Sequence, residues 1–168
     1  MNVLIKEEDV IKKVKDIGAL INSDYRGKNP VLIGVLKGAF VFLADLLREL
    51  VIPHELDFLA ISSYSGKTSR GIVKISADLS INIEDRDVIL VEDIVDTGCT
   101  IHYILENLKT RQPRSLAVCA LLNKKENRRK EIPLTYVGFT IPSVFVVGYG
   151  LDYDNQYRNL RYIGVYDG

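Results

Sequence analysis

The sequence predicts an α/β fold, a mostly parallel twisted sheet flanked by helices, on three observations. Short apolar runs read as buried strands, amphipathic stretches separate them, and the two alternate along the chain. At 168 residues and 47% hydrophobic content, the chain has the size and the apolar side chains for one packed core. A single domain over residues 1–168 is expected.

Val10, Ile11, Val14, Ile17 and Ile21 recur at helical spacing behind the acidic turn Glu7-Glu8-Asp9, which predicts a helix over 7–24. Pro30 resets the backbone, 31–36 is the apolar run of a buried strand, and Lys37-Gly38 hands it to a helix over 39–50. A strand over 55–62 gives way to a polar, flexible stretch at 63–71, and extended structure resumes over 72–76. Residues 88–91 form the next buried strand, and Ile101, Ile104, Leu105 and Leu108 give the following helix its apolar stripe. Strands are predicted again over 116–122, 136–139, 144–147 and 162–166. In such sheets ligands sit beyond the carboxyl ends of the strands.

Charge and cysteine content exclude several classes. The 22 basic and 22 acidic residues cancel, so no global field draws the chain to nucleic acid or anionic membrane. Cys99 and Cys119 form no C-x-x-C pair and read as free thiols. Acidic residues follow the first five positions where a secretory signal needs a basic and then an apolar stretch. The apolar run at 39–50 contains Asp45, Arg48 and Glu49 and is too short to span a bilayer. A cytoplasmic location is expected.

The chemistry concentrates in V-I-L-V-E-D-I-V-D-T-G-C-T, residues 88–100. Glu92 and Asp93 repel one another, an arrangement that makes sense where a cation such as Mg²⁺ and a ribose diol compensate them. Thr97, Gly98 and Thr100 supply hydroxyls, a residue without a Cβ, and backbone N–H groups at a helix start, which suits a phosphate. Asp96 lies between the paired acids and the phosphate turn, where a general base belongs. Taken singly, these residues also read as an exposed, N-capped turn. Together they fit one phosphorylated ribose. Other phosphate motifs fail on spacing: Gly34 to Gly38 lacks the order of a triphosphate loop, and Gly148-Tyr149-Gly150 lacks a dinucleotide fingerprint's third glycine.

The segment V-E-D-I-V-D-T-G-C-T resembles the phosphoribosyl pyrophosphate loop of type I phosphoribosyltransferases. With L-K-G at 36–38, S-S-Y at 62–64, Lys124, F-V-V-G-Y-G-L-D-Y at 145–153 and Arg158, the chain is similar over nearly its whole length to the hypoxanthine–guanine branch of that family. The resemblance implies the type I fold, with a small hood subdomain built from the chain ends. It also implies transfer of a 5-phosphoribosyl group from phosphoribosyl pyrophosphate to hypoxanthine or guanine, with Mg²⁺, in a homodimer or homotetramer.

Residue by residue, the resemblance assigns pyrophosphate to Lys37, Gly38 and Arg158, with a bond before Lys37 that is commonly cis. Glu92 and Asp93 would hold the ribose hydroxyls and metal, with Asp152 near a second metal. Asp96, Thr97, Gly98, Cys99 and Thr100 would wrap the 5-phosphate, and Asp96 would accept the imidazole proton of the purine. Lys124 would donate to the 6-oxo group, Phe145 would stack on the base, the Val146 main chain would read its edge, and Asp152 would lie near its position 2. Ser63 and Tyr64 would open a lid. Thr97 stands where a serine is frequent, and Asn123 where an apolar or acidic residue is usual. A ligand-sensing regulator of the same fold is the competing reading, and zero net charge with Asp96, Lys124 and Arg158 all present argues for the enzyme.

Overall fold

The computed structural model describes the backbone of residues 1–64 and 72–168, and side chains outside 63–72. The chain runs β1 (Asn2–Ile5), α1 (Glu7–Asp24), β2 (Val31–Leu36), α2 (Phe40–Glu49), β3 (Glu55–Tyr64) and β4 (Ile72–Ala77). It continues through β5 (Asp87–Val95), α3 (Cys99–Lys109), β6 (Ser115–Asn123), β7 (Tyr136–Thr140), β8 (Val146–Val147) and β9 (Ile163–Val165). Among the described residues one sheet has the order β4-β3-β2-β5-β6-β7, parallel except for β4. A small antiparallel sheet, β1-β9-β8, joins the two chain ends and forms the hood.

Period-two alternation in the central strands divides the core. Leu32, Ile89 and Val91 face α1 and α2, whose Val10, Val14, Ile17, Ile21, Phe42 and Leu46 are buried with them. Val31, Ile33, Val88 and Leu90 face the other way, onto Ile101, Ile104, Leu105 and Leu108 of α3. The predicted stripe of α3 is therefore the buried face.

Beyond shifts of a residue at single ends, four boundary differences from the sequence reading bear on the site and the hood. The first five residues, read only for what they exclude, form β1, because their partner β9 lies far away at the other chain end. The strand expected over 88–91 extends to Val95, since β6 partners it through Val95 and Asn123. Ser63 and Tyr64 pair with Val73 and Ile72 as the last residues of β3 instead of opening the loop. The strand expected over 144–147 shrinks to Val146–Val147, because the Val144 N–H turns back to the Pro142 carbonyl at 2.8 Å.

Asp57 anchors the connection leading into β5. Its buried carboxylate accepts from the N–H groups of Phe58, Ser80 and Ile81, each at 2.8 Å. Burial pushes its pKa up, but the donors from Ile81, Phe58 and Ser80 outweigh that and hold it below its ordinary value. Asp57→Ala is expected to cost about 2–4 kcal/mol by orphaning those donors, as read by chemical denaturation. Because the folded carboxyl is depressed, its contribution is present above the ordinary value of 3.8 and is lost as pH falls below it.

Candidate functional site

Strand order reverses between β2 and β5, so their carboxyl ends open the crevice where such sheets bind ligands. The two strands pair only as far as Gly34 and Val91. Beyond that point β2 turns away through a cis Leu36–Lys37 bond and Gly38, while β5 runs on beside β6. The expected pyrophosphate turn and the paired acids thus meet face to face. A Cβ on Gly38 would overlap the Asp93 carboxylate, so the glycine is required by close approach. Gly98 caps α3 at φ 81°, and a Cβ there would meet the Lys130 carbonyl.

Lys37, Gly38, Asp93, Asp96, Lys124, Phe145, Val146, Asp152 and Arg158 all line one cleft of about 680 Å³. A smaller hollow of about 220 Å³ adjoins it, formed by Glu92, Asp93, Asp96, Thr97, Gly98 and Thr100. Cys99 opens α3 with an exposed thiol and lines neither.

Asp57, Asp87, Glu92 and Lys124 are the buried charged side chains among the described residues. Asp57 has the anchoring role above, and Asp87 accepts from the Ser115 hydroxyl at 2.5 Å. Lys124 and Glu92 instead line the cleft and the adjoining hollow. The Lys124 ammonium lies 3.3 Å from Asp96 Oδ2, and Asn127 Nδ2 donates to Asp96 Oδ1 at 2.8 Å.

Opposite them, Phe145 is 51% exposed and meets Tyr153 edge-on at 5.9 Å, while Tyr153 stacks on Tyr166 at 4.3 Å. Phe145 thus lines the cleft as the face of an aromatic wall that Tyr153 and Tyr166 back. Arg158 donates to the Gly150 carbonyl at 2.6 Å and pairs with Asp152 at 2.7 Å. Asp152 also accepts from the Asn155 N–H at 2.8 Å, so one of its oxygens serves the loop and the other serves Arg158.

The paired acids are held in an unfavourable state. Burial pushes the Glu92 carboxyl well above the carboxylate range, and the Asp93 charge adds to the shift. Burial raises Asp93 to about 6, against the opposing pull of the Ile94 N–H and Arg158. A folded acid with a raised pKa costs stability as pH climbs from its unfolded to its folded value, here from 3.8 to about 6. Asp93→Asn is therefore expected to raise the Tm of the ligand-free protein by about 2–6 °C near pH 7.5, with the gain gone near pH 4. Calorimetric melting at the two pH values checks it.

Ala60, Ile61, Ser76 and Asn155 also line the cleft outside the sequence reading, the first three because their positions depend on β3 and β4 folding past the switch point and Asn155 because the loop after β8 turns back to the cleft. Asn127 lies in the run Lys124 to Lys130, which by itself reads as a solvated basic loop. It ends a short 3-10 turn, Lys125–Asn127, that has no side-chain cap to mark it in the sequence. The unusual Asn123 accepts from Arg128 Nη2, which explains a polar residue there. The lid expected from Ser63 and Tyr64 through residue 71 lies outside the described residues and side chains.

Comparison with known proteins bears on the same site. The family described as phosphoribosyl transferase domain matches residues 4–154. A hypoxanthine-guanine phosphoribosyltransferase of Streptococcus agalactiae is 51% identical over 164 residues, 97% of this chain and 91% of the relative. The protein of that name from Bacillus subtilis is 48% identical over the same shares. Among solved structures, a Bacillus anthracis hypoxanthine-guanine phosphoribosyltransferase aligns at a TM-score of 0.94 with 42% identity, covering 99% of this chain and 98% of the other.

Proposed function

The chain belongs to the phosphoribosyltransferase family and works within it as a purine-salvage enzyme of the hypoxanthine–guanine type, and from that premise we propose how its residues divide the reaction. Phosphoribosyl pyrophosphate lies along the crevice, its pyrophosphate at Lys37, Gly38 and Arg158 and its 5-phosphate in the hollow of Asp96 to Thr100. The ribose hydroxyls rest on Glu92 and Asp93. The purine stands against Phe145 with its 6-oxo group toward Lys124 and its edge along Val146 and Asp152.

Asp96 then accepts the imidazole proton as the other ring nitrogen bonds to the sugar carbon and pyrophosphate leaves. Arg158 meets the charge that develops on the leaving group. The observation that carries this reading is the meeting of Lys124 and Asp96 3.3 Å apart, one in position to recognise the base and the other to deprotonate it. An ammonium donor there disfavours adenine, whose 6-amino group leaves that buried donor unpaired at about 1–3 kcal/mol.

The donor set fits Mg²⁺. Two adjacent, mutually repelling carboxylates at the crevice, Glu92 buried and Asp93 half-buried, suit a hard cation that takes one or two carboxylates and completes its shell with water and substrate oxygens. When bound, Mg²⁺ supplies positive charge to the ribose diol and the departing pyrophosphate. Glu92 and Asp93 would hold it, and Asp152, now shared with Arg158, would reach a second ion.

Residues 1–168 read as one domain, since Ile5, Val146 and Ile163 of the hood are buried in the same core as α1 and α2. A homodimer or homotetramer accords with a groove of about 730 Å³ between α1, α2 and the segment 149–161, where Ile11 and Phe40 remain 45% and 43% exposed. Among the described residues no helix is long and apolar enough to cross a membrane, and a cytoplasmic location accords with that.

The test offers purified protein, Mg²⁺ and phosphoribosyl pyrophosphate with hypoxanthine, guanine, xanthine, adenine or uracil. Nucleotide is expected with hypoxanthine or guanine and at least about tenfold less with adenine. Failure to turn over any of these bases would favour the regulator instead.

A further inference from the structure

We propose that Asn127 is a positioning residue for the Asp96 carboxylate, an inference that rests on the reading of Asp96 as the proton acceptor. The Asp96 side chain is 42% exposed, and its two oxygens are held by two groups, Asn127 at 2.8 Å and Lys124 at 3.3 Å. An ionised carboxylate only accepts, so the Asn127 group facing it is the amide N–H. The contact is built in from both sides. The Lys124 N–H bonds the Val95 carbonyl at 3.0 Å, and the N–H groups of Arg129 and Lys130 bond the Thr97 carbonyl at 2.9 and 3.1 Å. Asp96 sits between those two carbonyls, and Asn127 sits between Lys124 and Arg129, so the two strips of backbone present one side chain to the other.

The two contacts differ in what they do to a base. Lys124 carries the charge that the 6-oxo group of the purine will draw toward itself. Asn127 is neutral and touches the other oxygen. It keeps the carboxylate oriented after Lys124 turns to the purine, without adding a second positive charge that would weaken it as a proton acceptor. Sequence alone hides this role, because Asn127 lies 31 positions from Asp96 inside a run of basic residues.

Single-turnover nucleotide formation tests the proposal in the wild type, Asn127→Ala, Asp96→Asn and the double variant. Asn127→Ala is expected to slow the step with hypoxanthine about tenfold while the Kd for phosphoribosyl pyrophosphate stays within about twofold. The loss should be smaller with 8-azahypoxanthine, whose more acidic triazole N–H needs less help from a base. Asn127→Asp keeps the side-chain shape but exchanges the donor for an acceptor, and should slow the step at least as much as alanine does. In the Asp96→Asn background, Asn127→Ala should add nothing. An unchanged rate in Asn127→Ala, or an equal further loss in the Asp96→Asn background, overturns the role of Asn127. A near-normal rate in Asp96→Asn itself would instead overturn the proton-acceptor reading on which it rests.

Discussion

Asp96→Asn is expected to slow the chemical step by on the order of 10²–10⁴-fold while leaving the KM for phosphoribosyl pyrophosphate within about twofold. The substitution keeps the side-chain volume and an oxygen for the Asn127 amide, so the loop from Val95 to Thr97 stays attached to residues 124–130. What it removes is the capacity to take a proton, and it turns an N–H toward the Lys124 ammonium where a carboxylate oxygen had been. By microscopic reversibility, attack of pyrophosphate on the nucleotide needs Asp96 to return that proton. The reverse reaction should therefore fall by the same factor. Parallel losses in kcat and in sugar-phosphate affinity would make Asp96 a part of the phosphate cradle and not a base.

The parts of this molecule legible from sequence are those that repeat locally. The α1 stripe from Val10 to Ile21 and the α3 stripe from Ile101 to Leu108 are helical periods, and both are buried as read except at Ile11, which faces outward. The run from Glu92 to Thr100 stands out for a related reason: acids, hydroxyls and a glycine, the set proposed to hold the phosphorylated ribose, stand side by side. What stayed hidden depends on contacts between distant segments. β1 exists because β9 pairs with it, and β5 outruns its apolar stretch because β6 lies alongside. Tyr166 joins Phe145 and Tyr153 in the aromatic wall through the fold of the hood, its N–H bonded to the Phe145 carbonyl at 2.9 Å. The Asn127 contact has the same origin. Residues 124–130 read as a solvated loop because the carbonyls of Val95 and Thr97 that capture it belong to another strand end.

Gly38→Ala should sharply lower kcat/KM without removing any ionisable group. The glycine follows the cis bond at the end of β2, and its missing side chain is the space that Asp93 occupies. An added methyl must push the Asp93 carboxylate off the crevice or push the turn back from β5. The first outcome separates Asp93 from Ile94, whose N–H it accepts at 2.7 Å, and from the field of Arg158. The second moves Lys37 and the neighbouring Gly150, since a Cβ on Gly150 would itself meet the Gly38 carbonyl. Overpacking of this kind costs about 1–3 kcal/mol, and loss of a charge-assisted contact to substrate costs about 1.5–3 kcal/mol more. The sum corresponds to a fall in kcat/KM on the order of 10²–10⁴-fold, carried mainly by the KM for phosphoribosyl pyrophosphate. That pattern is the opposite of the one expected for Asp96→Asn. A Gly38→Ala variant that kept its affinity for phosphoribosyl pyrophosphate would show that the turn after β2 and the paired acids do not grip the same ligand.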